Sequence, residues 1–326
     1  MIHESLFKPC PWLKSPHAQT IWASKLRWLP RLKASQERVT LPDGDFLELA
    51  WSQKESPHLV CLFHGLGGST DSPYARGMFF ALEKAGFRPV FVTFRGASKE
   101  PNTKVYAYHS GHTEDIKFLV RRFRATQKHQ TVSSIGFSLG ANALLKYLGE
   151  EGKESLLDFS IAVSPPLVLD VAANQMNQGF AKLYQYVLLR KIKEQLKTKK
   201  NAYPDLDIYN DIESLSSFWE LDDMVTGPVN GFKDAADYYR QCSARQYLKD
   251  IRAPTHVIHS KDDPFFTPAV IPDEEELSTH VSFELSNHGG HVAFVSGRNP
   301  LKLNYWLEPR CIELLQHVLT ARRRHS

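Results

Sequence analysis

The 326-residue chain reads as an α/β protein. Its expected architecture is a mostly parallel central sheet of about eight strands, with helices on both faces and a helical insertion ahead of the last strands. Three observations predict this. Short apolar runs bounded by Gly, Pro or Ser alternate with helix-length segments, the pattern of parallel strands joined by crossover helices. The alternation stops at Pro165-Pro166 and resumes only at Pro254. The stretch between is rich in Lys, Gln, Tyr and Asp, with helical spacing over 180–197 and no convincing strand run.

Taken in order, RVTLPDGDFLELAW at 38–51 places the turn Pro42-Asp43-Gly44-Asp45 between two alternating stretches, which makes a hairpin. Four runs follow: HLVCLFHG from His58, RPVFVTFRG from Arg88, TVSSIGFS from Thr131 and DFSIAVSPP from Asp158. They are too short for core helices and apolar enough to be buried on both faces, so they read as interior strands. Helices are expected over 74–85, stopped by Gly86, over 113–126, and over 139–148, stopped by Gly149. THVIHS at 255–260 and HVSFELS at 280–286 are two more strands, and an amphipathic helix at 308–320 closes the chain. The expected organisation is an extension at 1–36 packing on the core, a core made of 37–166 and 246–326, and a helical cap at 167–245.

Composition narrows the class. With 42% hydrophobic and 23% charged residues, the chain is neither disordered, collagenous nor a disulfide scaffold. Cys10, Cys61, Cys242 and Cys311 are scattered, form no CxxC pair and read as reduced thiols. No secretory signal opens the sequence and no run of about 18 apolar residues interrupts it, so a cytoplasmic location is expected. The net charge is only +4, but basic residues bunch at 25–33, 191–200 and 322–324. Such runs are mostly solvated faces, and no nucleic-acid-reading module accompanies them. Trp22, Trp28 and Leu29 interleave with the first, which leaves room for a weak peripheral membrane contact. Nothing in the sequence sets an oligomeric state.

The chemistry gathers at Gly136-Phe137-Ser138-Leu139-Gly140. A GxSxG pattern alone is common; here it follows a predicted strand and opens a predicted helix, the context of a nucleophile elbow. A serine hydroxyl needs a base, and in such a fold the order is Ser, acid, His. Asp263, directly before Pro264 at the end of a strand, is the favoured acid, with Asp262 as the alternative. His291 after Gly289-Gly290 is the favoured base; His288 flanks the same turn and His280 comes too early. The oxyanion donors are expected from the backbone N–H groups of Leu139 and of Leu66, in the Gly-rich loop His64-Gly65-Leu66-Gly67-Gly68. His64 reads as a residue that shapes this loop. GxxxxGK[ST], HExxH and Cys/His ligand spacings are all missing, so neither a cofactor nor a metal is expected. Asp205, Asp207, Asp211 and the Asp222-Asp223 pair, all in the insertion, read as solvated or helix-capping carboxylates.

Seven short motifs in order carry a resemblance running nearly end to end: SPHAQT at 15–20, HGLGGS at 64–69, FRG at 94–96, GFSLGAN at 136–142, YYRQCSA at 238–244, DDPF at 262–265 and HGGHVAF at 288–294. The chain resembles the YheT-like hydrolases, a branch of the α/β-hydrolase superfamily that also includes eukaryotic abhydrolase-domain lipases. Ala18 stands where relatives often have Leu, and Ala293 where Gly is common. The resemblance implies the α/β-hydrolase fold and a carboxylesterase-like or lipase-like activity with a triad on Ser138, Asp263 and His291. The implied partner is a small-molecule or lipid-like acyl ester. The same triad would also serve an acyltransferase or a thioesterase, and a non-catalytic binding protein on the same fold is the reading from a different class.

Overall fold

A computed structural model describes residues 1–126, 128–209, 211–299 and 302–323. The chain opens with β1 (Ile2–Glu4), followed by a short helix α1 (Pro16–Ile21), and then the expected hairpin of β2 (Ala34–Thr40) and β3 (Phe46–Ser52). The α/β alternation runs through β4 (His58–Phe63), α2 (Pro73–Lys84), β5 (Arg88–Thr93), α3 (Glu114–Ala125), β6 (Thr131–Phe137), α4 (Leu139–Glu151) and β7 (Phe159–Val163). Helices α5 (Leu169–Met176), α6 (Ala181–Ala202), α7 (Phe218–Leu221), α8 (Gly227–Val229) and α9 (Ala235–Cys242) fill the long interval. The chain then returns to the sheet with β8 (Thr255–Ser260) and β9 (Val281–Ser286), and α10 (Leu307–Arg323) packs on last. The third basic run extends through Arg324, outside the described residues.

Among the described residues the sheet has nine strands, in the order β1-β9-β8-β7-β6-β4-β5-β3-β2. Only β3 is antiparallel to its neighbours β2 and β5; the other pairings are parallel. The expectation of about eight strands misses β1. Three residues, Ile-His-Glu, carry no readable alternation; their strand exists because β9 offers an open edge, where Ile2, His3 and Glu4 lie opposite Phe283, Glu284 and Leu285.

Both faces of the sheet are covered, which is why its strands are continuous apolar runs. Along β4, Leu59, Cys61 and Phe63 point into one core with Leu119 and Phe123 of α3 and Leu144 and Leu148 of α4. Val60 and Leu62 point into the other, with Phe79 and Leu82 of α2 and Leu315 of α10. Helix boundaries follow local chemistry with one exception. Gly86, at φ 86°, ends α2 as expected. Gly149 does not stop α4, which runs on to Glu151; a Cβ on it would stand 2.6 Å from both the Cβ and the carbonyl oxygen of Tyr247. That glycine serves close packing against the 244–250 turn. All four cysteines are buried and unpaired.

Candidate active site

Ser138 sits where β6 turns into α4, with φ 51° and ψ −119°. A side chain rarely adopts this backbone, so the turn must be held by its surroundings. A Cβ on Gly136 would lie 2.7 Å from Ala141 Cα, and one on Gly140 would lie 2.5 Å from the His64 carbonyl oxygen. Both glycines of the motif are therefore required by backbone approach. The Ser138 N–H donates to Val163 O at 2.9 Å, tying the turn to the next strand.

His291 and Asp263 arrive from the loops after β9 and β8. His291 Nε2 is 2.8 Å from Ser138 Oγ, and its Nδ1 is 3.0 Å from Asp263 Oδ2. Asp263 is buried, and its second oxygen accepts the Phe265 N–H at 2.9 Å. A carboxylate can only accept, so Nδ1 carries the proton and Nε2 is left as the acceptor facing the serine hydroxyl. Asp262 turns away and pairs with His288 at 3.5 Å, and burial raises its pKa. His280 lies just before β9, its N–H on Ser278 Oγ.

The His291 turn is clamped rather than loose. Its N–H donates to Thr20 Oγ1 at 2.9 Å, and the following Val292, at φ 53°, donates to Ser164 Oγ at 3.1 Å. The glycines ahead of it are there for proximity. A Cβ on Gly289 would meet Ser260 Cβ at 2.8 Å, and one on Gly290 would meet Thr20 Oγ1 at 2.7 Å. Close approach, not flexibility, is what requires glycine at both positions. Phe265 stacks parallel on the imidazole with ring centroids 3.8 Å apart, and Phe266 meets it edge-on.

The loop after β4 passes beside the serine, since a Cβ on Gly65 would lie 3.1 Å from Ser138 Cβ. Gly65 N–H donates to Tyr74 Oη at 3.1 Å and Gly67 N–H to Tyr108 Oη at 3.0 Å. Burial pushes the pKa of each phenol up to about 12, so both stay neutral. Between these two tethers, the Leu66 N–H has no protein acceptor among the described residues, and neither has the N–H of Leu139, the first residue of α4. His64 behaves as expected of a loop-shaping residue. Its Nε2 accepts the Phe94 N–H at 3.2 Å and its Nδ1 faces Gly65 O at 2.7 Å, while burial pushes its pKa down to about 4.

Above the serine lies a cavity of about 970 Å³, lined by the β4 and β5 loops, the 20–27 segment and the helical insertion. Most of its wall in the insertion is apolar, including Met176, Leu188, Ile192 and Val225. Asp205, Asp207 and Asp211 are exposed, and Asp223 accepts the Ala235 N–H at the start of α9. Asp222 departs from the expectation of a solvated or capping group. It lines the cavity, accepts Tyr239 Oη at 2.6 Å, and burial raises its pKa to about 6.

One group of possible metal ligands is present among the described residues. His3, His256 and Glu284 bring ligand atoms within 4.8 Å of one another. Glu284 is already engaged by His256, Ser5 and Arg310, so this is an ion-pair network anchoring β1. Sequence reasoning passed over Thr20, Tyr74, Tyr108, Ser164 and Phe265. Thr20 and Phe265 lie inside the quoted motifs SPHAQT and DDPF, which were the available signal.

A strained serine between a β-strand and a helix, with acid and histidine supplied by later strand ends, is the frame of an α/β-hydrolase, and the chain belongs to that family: a model described as alpha/beta hydrolase fold matches residues 58–297. Within it the chain falls in the YheT-like branch. It is 39% identical over 323 residues to "Putative esterase YheT" of Escherichia coli, covering 97% of this chain and 94% of the relative. A yeast protein named "Monoacylglycerol lipase" is 28% identical over 269 residues, 80% of this chain and 59% of that one. In the solved esterase Pf2001 of Pyrococcus furiosus the same fold recurs at a TM-score of 0.57 and 17% identity, over 89% of this chain and 96% of that one. Esterase-named relatives on this fold support a hydrolase activity of the ester-cleaving kind.

Proposed function

We propose that the protein is a serine hydrolase of carboxylic esters that works through an acyl-enzyme. Ser138 Oγ attacks the acyl carbonyl as His291 Nε2 takes its proton, and the imidazolium formed is balanced by Asp263. The carbonyl oxygen becomes an oxyanion held by the Leu66 and Leu139 N–H groups, with the amino-terminal dipole of α4 behind the second. His291 then returns the proton to the leaving alkoxide, which departs as an alcohol. Water, deprotonated by the same imidazole, attacks the acyl-serine and releases the acid and the free Ser138.

The observation that carries this reading is the unbroken hydrogen-bond chain from Ser138 through His291 to a buried Asp263. The apolar wall of the cavity favours an acyl chain longer than acetyl, with residues 167–245 acting as its cover. Relatives named for monoacylglycerol lipase and phospholipase activity agree with a lipid-like acyl ester as substrate.

Turnover of a p-nitrophenyl ester series tests it. We expect hydrolysis by the wild type with an optimum beyond acetate, and an initial burst of nitrophenol wherever deacylation is slow. A wild type inactive across the whole series, or a Ser138→Ala protein that hydrolyses at the original rate, would sink the proposal.

A further inference from the structure

We propose that the mouth of the cavity is a docking surface for an anionic lipid bilayer, with the outer face of α6 and the 21–33 segment as its two contact edges. The proposal rests on the reading above only in taking the cavity as the place where an acyl ester is met. The surface itself is read from exposure and charge.

Two segments flank the opening. Ile21, Ser24 and Lys25 on one side, and Leu183, Val187 and Lys191 on the other, line the cavity while remaining exposed, so the cavity reaches solvent between them. Just ahead of the first segment, His17 Nδ1 of α1 lies 3.1 Å from Tyr184 Oη of α6. Apolar exposure concentrates here. Of the twelve large hydrophobic side chains left exposed among the described residues, eight fall within 12–28 and 180–187, with Trp28 at 85%, Tyr186 at 64% and Leu26 at 61%. Water-facing helix surfaces are normally polar with mixed charge. The outer face of α6 instead alternates Leu183, Tyr186 and Val187 with Lys182, Arg190 and Lys191.

The charge is one-sided. Helix α6 carries seven Lys and Arg against one Glu, and no acidic residue occurs between Lys14 and Lys33. Lys25, Lys182, Arg190 and Lys191 have no carboxylate within ion-pair distance among the described residues, so their charge is left for an outside anion. Apolar side chains with a Trp, set among unpaired cations, match the chemistry of an interface with anionic headgroups: the apolar groups enter the acyl boundary while the cations meet phosphate. No described helix is long and apolar enough to cross a membrane, so the contact would be peripheral. A bilayer resting on this rim would place its acyl esters at the entrance to the chamber above Ser138.

The test is co-flotation of the whole chain with vesicles of phosphatidylcholine alone, or of phosphatidylcholine mixed with phosphatidylglycerol, alongside turnover of soluble p-nitrophenyl butyrate. We expect binding to the anionic vesicles that weakens as salt is added. Binding should fall about tenfold or more in Lys182→Glu/Arg190→Glu and in Leu26→Ser/Trp28→Ser. Soluble-ester turnover should be unchanged in both, because none of these four side chains lines the cavity. Wild-type protein that ignores anionic vesicles, or binds neutral ones equally, overturns the proposal, as does undiminished binding in both variants. A dimer dissolved by the same substitutions, with no vesicle binding, overturns it in favour of a second copy of the chain. Vesicle binding without any ester turnover upholds the docking surface and removes the esterase reading.

Discussion

Ser138 owes its place to a backbone conformation that its side chain disfavours, and His291 owes its orientation to four neighbours that contact it from different sides. Replacing Ser138 with Ala should lower turnover by about 10⁴-fold or more, measured as kcat on a nitrophenyl ester. The two aspartates separate cleanly. Asp263→Asn should cost on the order of 10⁴-fold in kcat, because the amide no longer enforces the Nδ1–H tautomer. Asp262→Asn should stay near wild type, since Asp262 touches only His288 and its own turn. Thr20 is a positioning residue. Thr20→Val removes the acceptor for the His291 N–H and should lower kcat roughly tenfold with KM little changed, while Thr20→Ser restores it. The hydrogen-bond chain Ser138–His291–Asp263 was legible because residue type, chain order and strand ends all pointed the same way. Thr20 was not: SPHAQT marked the segment, but a helical threonine shows no role at His291 until the fold closes.

At the scale of elements, the quoted motifs prove to be joints. Arg95 of FRG is buried and binds Asp115 at the start of α3 and Asp43 in the hairpin turn, so one guanidinium locks three segments. Asn142 of GFSLGAN donates to Ser110 O and Cys242 O and accepts the Ala244 N–H, tying α4 to the end of the insertion. Gln19 of SPHAQT donates to Leu13 O and accepts the Val295 N–H, which docks the amino-terminal segment beneath the His291 loop. Gln19→Leu should therefore destabilise the fold by about 2–4 kcal/mol, read from urea unfolding, because it leaves buried backbone groups unpaired. Gly140→Ala should be at least as damaging, since its Cβ would press on the immovable His64 carbonyl. Strands and crossover helices could be read from periodicity alone. β1 and the run of α4 past Gly149 could not, because each depends on a partner far along the chain.

Across the whole molecule, burial makes stability depend on pH. His64 and His259 are both fully buried with pKa values pushed down to about 4, while in the unfolded chain they titrate near the ordinary histidine value. The unfolded state thus binds more protons between those values. Stability is full above the unfolded pKa and falls as pH drops through about 6.5 towards 4, by on the order of a few kcal/mol per histidine. Urea midpoints measured from pH 7 to 4.5 should show this decline, and His259→Leu should flatten part of it. The uneven charge was visible in the sequence as basic runs. Their meeting was not, since Lys25 of one run and Lys191 of the other come to line a single cavity only once the chain has folded.

Ser138 as nucleophile is tested by covalent labelling. The purified protein would be treated with a fluorophosphonate probe and the adduct mapped by peptide mass spectrometry, with His291→Ala alongside. A single adduct on Ser138, formed rapidly in the wild type and at least about a hundredfold more slowly without the imidazole, is the predicted result. No adduct, or one on another serine, would rule out Ser138 as the nucleophile.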